Sequence, residues 1–356
     1  MAEGQATGGQ LSIAEAIELG MRHQQAAVQL NLGRAHYDQG RFPAALGCFE
    51  KAVELDPDCC QALHNLGKFY YAEGSMDEAI DLLRRAVALE PERVDAQNDL
   101  GLALLERGDH AAALTCFESA LAAEPGDSTA GHFAAVAREA APAQASPRYV
   151  RELFDAYAEK FDRHLIDHLE YRTPALLFHE LKSLHGAGEL LESALDIGCG
   201  TGLMGPFLRQ LARAVSGIDL SPRMLEKAGK LGVYDRLECC DLVEFLSSAD
   251  DASSDLVVAA DVFVYIGDLD RVFAGVSRIL RATGMFAFSI ETAGWDVDRY
   301  VLARSGRYQH AVRYIAALCE SCGLRELHAS ETVLRTERDT PIAGTIFVLG
   351  KPAAPG

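Results

Sequence analysis

No apolar run in this chain approaches the roughly 20 residues that a membrane-spanning helix needs. Nor does the amino terminus carry the charged patch followed by an apolar segment that directs secretion. A basic surplus is also missing. The 33 Lys and Arg face 52 Asp and Glu, a formal charge of −19, which argues against broad binding to a phosphate backbone. Nine cysteines in 356 residues, among them the neighbours Cys59-Cys60 and Cys239-Cys240, make no disulfide framework, and a reducing cytoplasm is the simpler reading. Cys319 and Cys322 form a single Cys-x-x-Cys without a second pair at zinc-finger spacing, so no metal site is expected. No Gly-x-Ser-x-Gly elbow and no Walker loop occurs. The expectation is a cytoplasmic protein with neither nucleic acid nor membrane as its partner.

Hydrophobic residues make up 49% of the chain, which excludes general disorder, and the length suffices for two domains with ordinary cores. Residues 1–10 are rich in Gly, Gln and Ala and are expected to be disordered. Ser12 is placed to cap a helix running to about Gln25, with Leu11, Ile13, Ile17 and Leu19 as an apolar stripe. A 34-residue period comes next. Leu32-Gly33, Leu66-Gly67 and Leu100-Gly101 recur in register, as do Gly40, Gly74 and Gly108, and Pro57, Pro91 and Pro125. Phe49, Leu83 and Phe117 hold the large apolar position. Small residues let paired helices approach, the second glycines turn the chain, and the prolines end each second helix.

This pattern resembles tetratricopeptide repeats over about residues 26–127, although the early aromatic appears only as Tyr70. Three repeats (about 26–59, 60–93 and 94–127) with capping helices fill residues 11–140, the last cap running from about Ser128 to Ala140. Such a solenoid offers a concave groove that can dock a peptide or protein acceptor. Self-association into a homodimer is the other reading. Asn31, Asn65 and Asn98 sit on first helices and are candidates to face the groove. Residues 141–147, with Pro142 and Pro147, read as a linker.

The domain from 148 to 356 is organised around Leu195-Asp196-Ile197-Gly198-Cys199-Gly200-Thr201-Gly202. An apolar strand from Leu190 to Ile197 enters a turn too tight for side chains, and Leu203 to Leu211 reads as the following helix. A ligand sits at the carboxyl end of such a strand, where backbone N–H groups and the helix N-terminus favour negative charge. The spacing is Gly-x-Gly-x-Gly, which disfavours a nicotinamide oxidoreductase, whose turn prefers Gly-x-Gly-x-x-Gly. Asp219 ends the next strand (Ala214 to Ile218), with Leu220 beside it, and a carboxylate there can accept both hydroxyls of a ribose.

At this point the stretch closely resembles the class I S-adenosylmethionine-dependent methyltransferases. The resemblance covers 148–352 and implies an α/β Rossmann-like domain of seven strands, the last antiparallel, following the all-α repeat solenoid. It implies S-adenosylmethionine as cofactor, held by Asp196, Gly198, Gly200, Thr201, Gly202, Asp219 and Leu220. Asp241, after strand Arg236 to Cys240, would accept the adenine amino group, with Leu242 on the ring. Met224 would pack on adenine or in the core. The run Phe154 to Asp162, in a helix pair from Tyr149 to His168, resembles the lid helix of small-molecule methyltransferases, whose tyrosine, here Tyr157, lies over the methionine end.

Strand Asp255 to Ala260 ends at Asp261, which would face the transferred methyl with Tyr265. Strand Met285 to Ile290, after a turn at Arg281 to Gly284, ends at Glu291. Tyr308 to Cys322 reads as the last long helix. The tract Ser305 to His310, with the repeat fusion, resembles a group of bacterial predicted methyltransferases. Asp261, Glu291 and His310 are the candidate bases, and His310 could instead hydrogen-bond substrate or cap the helix. Arg307 and Tyr308 are candidates for the acceptor, Arg307 for its carboxylate or phosphate. The reaction would transfer a methyl group to oxygen or nitrogen of a small molecule or a peptide. An adaptor with an inactive methyltransferase fold is the alternative.

Overall fold

The computed structural model describes residues 12–159, 161, 171–186, 189–337 and 340–353. The expected disorder of residues 1–10 and the second helix of the Tyr149–His168 pair lie outside the described residues. Internal contacts divide the chain into two units, Met1–Ala137 and Arg138–Gly356. No helix among the described residues is long and apolar enough to cross a membrane.

The first unit is a series of helical hairpins: α1 (Ile13–Asp38) with α2 (Phe42–Leu55), α3 (Cys60–Ala72) with α4 (Met76–Leu89), and α5 (Val94–Arg107) with α6 (His110–Ala123). A last helix, α7 (Ser128–Ala137), completes it. Each hairpin turns at a glycine in the left-handed region, Gly40, Gly74 and Gly108. The small residue of each first helix is needed for approach: a Cβ on Gly33 would come within 2.6 Å of the Phe49 ring, and one on Gly101 within 2.6 Å of Phe117. Ser12 does start a helix, through a reciprocal capping box with Glu15. That helix does not stop near Gln25, because nothing between Met21 and Tyr37 breaks it, and it runs into the first repeat. Asn65 and Asn98 are spent inside the unit, on the Gln61 carbonyl and on Asp127.

The second unit opens with α8 (Pro147–Tyr157) and α9 (Thr173–His185). It then alternates β1 (Leu191–Ile197), α10 (Gly205–Leu208), β2 (Ala212–Asp219), α11 (Pro222–Lys230), β3 (Arg236–Cys239), α12 (Leu242–Ser248), β4 (Ser254–Ala259), α13 (Asp270–Ile279) and β5 (Leu280–Glu291). A hairpin of β6 (Tyr300–Leu302) and β7 (Tyr308–His310), helix α14 (Val312–Cys322), and strands β8 (Arg325–Glu337) and β9 (Thr340–Gly350) complete it. Among the described residues the main sheet has seven strands in the order β3-β2-β1-β4-β5-β9-β8. β9 is antiparallel to β5 and to β8, so β8 ends at the same edge as β4 and β5.

Three local expectations are corrected. The helix after the glycine turn is only Gly205–Leu208, since the chain must already enter β2 at Ala212. Arg281 to Gly284 is not a free turn; Thr283 takes a left-handed φ of 65° within a continuous β5. Tyr308 to His310 is a strand, because Tyr308 and His310 alternate inward around Gln309 with the period of two. The stretch read as a linker is built into the second unit: the Ala143 carbonyl accepts from the N–H groups of Gly267 and Asp268, and Ala145 N–H donates to the Tyr265 carbonyl.

Phe117 is fully buried, so its ring has no room to yield to a new methyl group. Gly101→Ala is expected to cost about 1–3 kcal/mol of stability. Chemical denaturation followed by helical circular dichroism checks this, and an unchanged midpoint would show that the close approach is not a constraint.

Candidate functional site

The glycine turn leaves the carboxyl end of β1 with Gly198, Gly200 and Gly202 all at positive φ, 68°, 55° and 91°. Their surroundings differ. A Cβ on Gly198 would meet Val262 at 2.6 Å, and one on Gly202 would meet Leu231 at 2.9 Å. At Gly200 an added Cβ would meet no heavy atom within 4 Å, so the turn is open at its centre. Cys199 and Thr201, between the glycines, are buried, and burial pushes the Cys199 thiol up.

Two carboxylates frame the opening. Asp196 is buried and accepts the Tyr234 hydroxyl at 2.6 Å. Burial pushes its carboxyl up to about 7, against the lowering effect of Tyr234 and with a smaller push from Asp219. Asp219 accepts Gly200 N–H at 2.9 Å on Oδ2 and Ser221 N–H at 2.8 Å on Oδ1. Burial raises it too, although these backbone bonds oppose the rise. Asp155 of α8 accepts the Ser221 hydroxyl at 2.6 Å, pinning α8 to the start of α11.

Asp241 caps α12, both bonds ending on Oδ1: 2.8 Å to Val243 N–H and 3.1 Å to Glu244 N–H. Leu220 and Leu242 are half-buried. Met224 belongs to the core: it is fully buried and presents no surface to a ligand.

At the carboxyl ends of β4, β5 and β8 lies a wall of buried charge. Arg335 sends Nε to Glu337 at 2.6 Å, Nη2 to Glu291, and Nη1 to within 3.6 Å of Asp261. Arg307 pairs with Glu337 and stands 3.9 Å from Glu291, in both cases through Nη1. Burial alone would raise Glu337, but the two guanidiniums outweigh it and hold the carboxyl low. Asp261 takes a left-handed φ of 56°, rare for a residue with a Cβ. The strain is held in place by Ser289, whose hydroxyl accepts Asp261 N–H at 2.9 Å and donates to Oδ1 at 2.6 Å.

Tyr157 and Tyr265 join this wall. Burial pushes the Tyr157 hydroxyl up to about 12, with Arg307 close enough to oppose the rise. Tyr265 meets Phe154 edge-on at 5.4 Å, and Phe154 in turn meets Phe161 at 5.8 Å.

Besides Met224, two more expected site residues are structural. His310 is fully buried, with Nε2 donating 2.9 Å to the Ile266 carbonyl, and burial lowers it to about 4, so it is neutral and committed to backbone. Tyr308 is fully buried and donates to the Pro142 carbonyl at 2.9 Å. Sequence reasoning missed Arg335, Glu337, Ser289 and Tyr171. Half-buried Tyr171 lies near Asp261, Arg335 and Asp196, and burial raises its hydroxyl. Arg335 and Glu337 stand at i, i+2 on β8, but nothing local in the sequence signals that this strand ends beside β4 and β5.

Residues 195–288 match the family model of a methyltransferase domain, and residues 30–89 and 70–138 match tetratricopeptide-repeat models. A probable S-adenosylmethionine-dependent methyltransferase of Saccharomyces cerevisiae is 35% identical over 32% of this chain and 40% of its own. The ubiquinone biosynthesis O-methyltransferase of Thiobacillus denitrificans is 30% identical over 32% of this chain and 50% of its own. The malonyl-[acyl-carrier protein] O-methyltransferase of Serratia marcescens is 30% identical over 29% and 40%. The chain thus spans half or less of these relatives. It carries, in order, segments that match tetratricopeptide-repeat models and a segment that matches a methyltransferase-domain model.

Arg335→Ala would strand Glu291 as a buried charge without its main partner, at an expected cost of about 3–5 kcal/mol. Adding Glu291→Gln should recover part of it; denaturant midpoints that add without coupling would show the pair to be independent.

Asp196 yields a pH prediction. An unfolded aspartate titrates near 3.9. From about pH 4 to about pH 7 the native state therefore keeps a proton that the unfolded chain has lost, so stability falls as pH rises through that window. Asp196→Asn keeps an acceptor for Tyr234 and removes the slope. The variant should melt higher than wild type at about pH 8 and no higher at about pH 4. Equal melting at both would show that the carboxylate carries no burial cost.

Proposed function

We propose that this fusion of tetratricopeptide repeats with a methyltransferase domain transfers the methyl group of S-adenosylmethionine to an oxygen or nitrogen acceptor. The acceptor is a small molecule or a peptide or protein, and the repeat array recruits or encloses it. The observation that carries the reading is the open glycine turn at Gly200, framed by Asp196 and Asp219, in the same sheet edge as the charged wall at Asp261.

The residues present fit the cofactor. Asp219 accepts Gly200 N–H on Oδ2 and Ser221 N–H on Oδ1, with Leu220 N–H as a further backbone donor, and of the roughly four lone-pair sites of a carboxylate this leaves one for a ribose hydroxyl. Asp241 keeps Oδ2 for an adenine amino group, since both caps use Oδ1. Half-buried Leu220 and Leu242 offer apolar edges to the ring. Bound there, S-adenosylmethionine supplies an already activated methyl group.

What the protein must add is alignment and exclusion of water. Tyr157 and Tyr265, with Phe154 behind them, provide an aromatic enclosure at the acceptor side. Among the expected bases, His310 is committed to backbone and Glu291 to Arg335. Asp261, less deeply buried, is the group left to take a proton from a hydroxyl or amine acceptor. A carboxylate acceptor would need no base. Arg307 bonds only through Nη1 among the described residues, which leaves the rest of its fork for an acidic group on the acceptor. Two of the relatives are named O-methyltransferases, in line with an oxygen acceptor.

Calorimetry with S-adenosylhomocysteine tests the cofactor site. Asp219→Ala should weaken binding by about 1–3 kcal/mol, the cost of leaving hydroxyl partners unmatched. Unchanged affinity would place the ribose elsewhere. Methyl-labelled cofactor in a lysate of the source cell then tests turnover: label that appears with wild type and not with Asp219→Ala supports an enzyme. Tight cofactor binding without labelled product in either the macromolecular or the small-molecule fraction would favour an adaptor.

A further inference from the structure

A hydroxyl or an ammonium acceptor must lose a proton as it is methylated, whereas a carboxylate is ionised before it arrives. The charged wall is poorly equipped for the first case. Glu291 and Glu337 are both bonded to Arg335. Asp261 accepts the Ser289 hydroxyl on Oδ1 at 2.6 Å. Its Oδ2 stands 3.5 Å from the Thr173 hydroxyl and 3.6 Å from Arg335. A proton delivered to Asp261 would cancel the charge that pairs it with Arg335. His310 is fully buried and bonded to backbone carbonyls.

What the wall does offer is donors. Arg335 is spent on three carboxylates, and its side chain is only 4% exposed. Arg307 differs. Its side chain is 26% exposed, and among the described residues its pairings with Glu337 and Glu291 run through Nη1 alone. Among the described residues none of its nitrogens is both buried and without a partner, so Nε and Nη2 are open to solvent. Those two nitrogens form one edge of the guanidinium, the edge that meets a carboxylate side-on with two parallel bonds. Tyr149, Tyr157 and Tyr265 lie within electrostatic reach of Arg307. Burial pushes the Tyr157 hydroxyl up to about 12 and raises Tyr149 as well, so both remain O–H groups at neutral pH.

We propose that the acceptor is a carboxylate held side-on by the Nε and Nη2 edge of Arg307, and that the product is its methyl ester. The inference rests on the methyl-transfer reading of this site. Each oxygen of a carboxylate held this way keeps a second lone pair. One oxygen gives that pair to the methyl carbon as the carbon–sulfur bond breaks, and the electrons of that bond stay on sulfur. The acceptor loses its negative charge and the sulfonium its positive one. An ester and a neutral thioether result, and no proton moves. A step that cancels two opposite charges is favoured where water is excluded, because isolated charges are costly there.

Alkali identifies the product, since a methyl ester releases its methyl group as volatile methanol while methyl ethers and N-methyl groups keep theirs. Purified full-length protein is given methyl-labelled S-adenosylmethionine in a lysate of the source cell, with Asp219→Ala as the background. Label above that background should be released by mild alkali. It will sit in the macromolecular fraction if a protein carries the carboxylate, and in the small-molecule fraction if a free acid does. Arg307→Gln should cut alkali-labile label about tenfold or more, with S-adenosylhomocysteine affinity by calorimetry within about twofold of wild type. Arg307→Lys keeps a charge for Glu337 but loses the two-donor edge, so it should show the same loss and decides the matter if the Gln variant does not fold. Alkali-stable label overturns the carboxylate acceptor and leaves methyl transfer standing. Ester label undiminished by both substitutions overturns the assignment to Arg307. Cofactor binding with no label above background overturns the methyl-transfer reading and this inference with it.

Discussion

The N–H of Gly200 reaches across to Asp219 at 2.9 Å, and that bond closes the carboxyl end of β1 onto the end of β2. On the other side, the missing side chain of Gly198 lets Val262, just beyond β4, pack where a Cβ would stand. Three strand ends are therefore gathered around one turn whose dimensions depend on the absence of side chains. Any residue but glycine at Gly198 would meet both a steric conflict and an unfavourable backbone region. The opening at Gly200 and the buried carboxylate of Asp196 arise from the same closure. A gathered turn has room for a ligand only on its outer side, and it shields whatever ends β1 from water.

The second constraint is electrostatic. One guanidinium, Arg335, engages carboxylates from the ends of β4, β5 and its own strand. Ion pairs this deep contribute little net stability when formed and cost much when broken. Their use here is positional. Asp261 is held at a left-handed backbone angle by Ser289 and steered by Arg335, so its carboxylate has little freedom of its own. With Arg307 the wall counts two guanidiniums against Asp261, Glu291 and Glu337, a surplus of one negative charge.

Much of this was legible in the chain. The 34-residue register and the glycine turn come from a repeated pattern and from glycines whose need is local, whereas the antiparallel last strand was implied only by the family resemblance. Arg335 was not legible, because its role depends on β9 running antiparallel between β5 and β8, which brings the end of β8 to the edge where β4 and β5 end. No local pattern around Arg335 states that. Helix boundaries failed for a related reason. α1 and α10 differ from expectation because their ends are set by the next element along the chain, a continuing repeat in one case and an imminent strand in the other.

His310 and Tyr308 show how a polar residue near the edge where the site lies can be occupied with something else. Both point inward from β7, and their bonds end on backbone carbonyls at Ile266 and Pro142. Gly267 lies against them, with the Tyr300 and Tyr308 rings within 2.6 Å of where its Cβ would be. On its other side the same loop hydrogen-bonds Ala143 and Ala145. The loop that presents Tyr265 is thus clamped between an aromatic platform and the stretch of chain that arrives from the repeats. A free linker would leave that loop to find its position alone. Because the connecting segment is itself one of the loop's hydrogen-bonding partners, the placement of Tyr265 depends on chain that composition marks as a spacer.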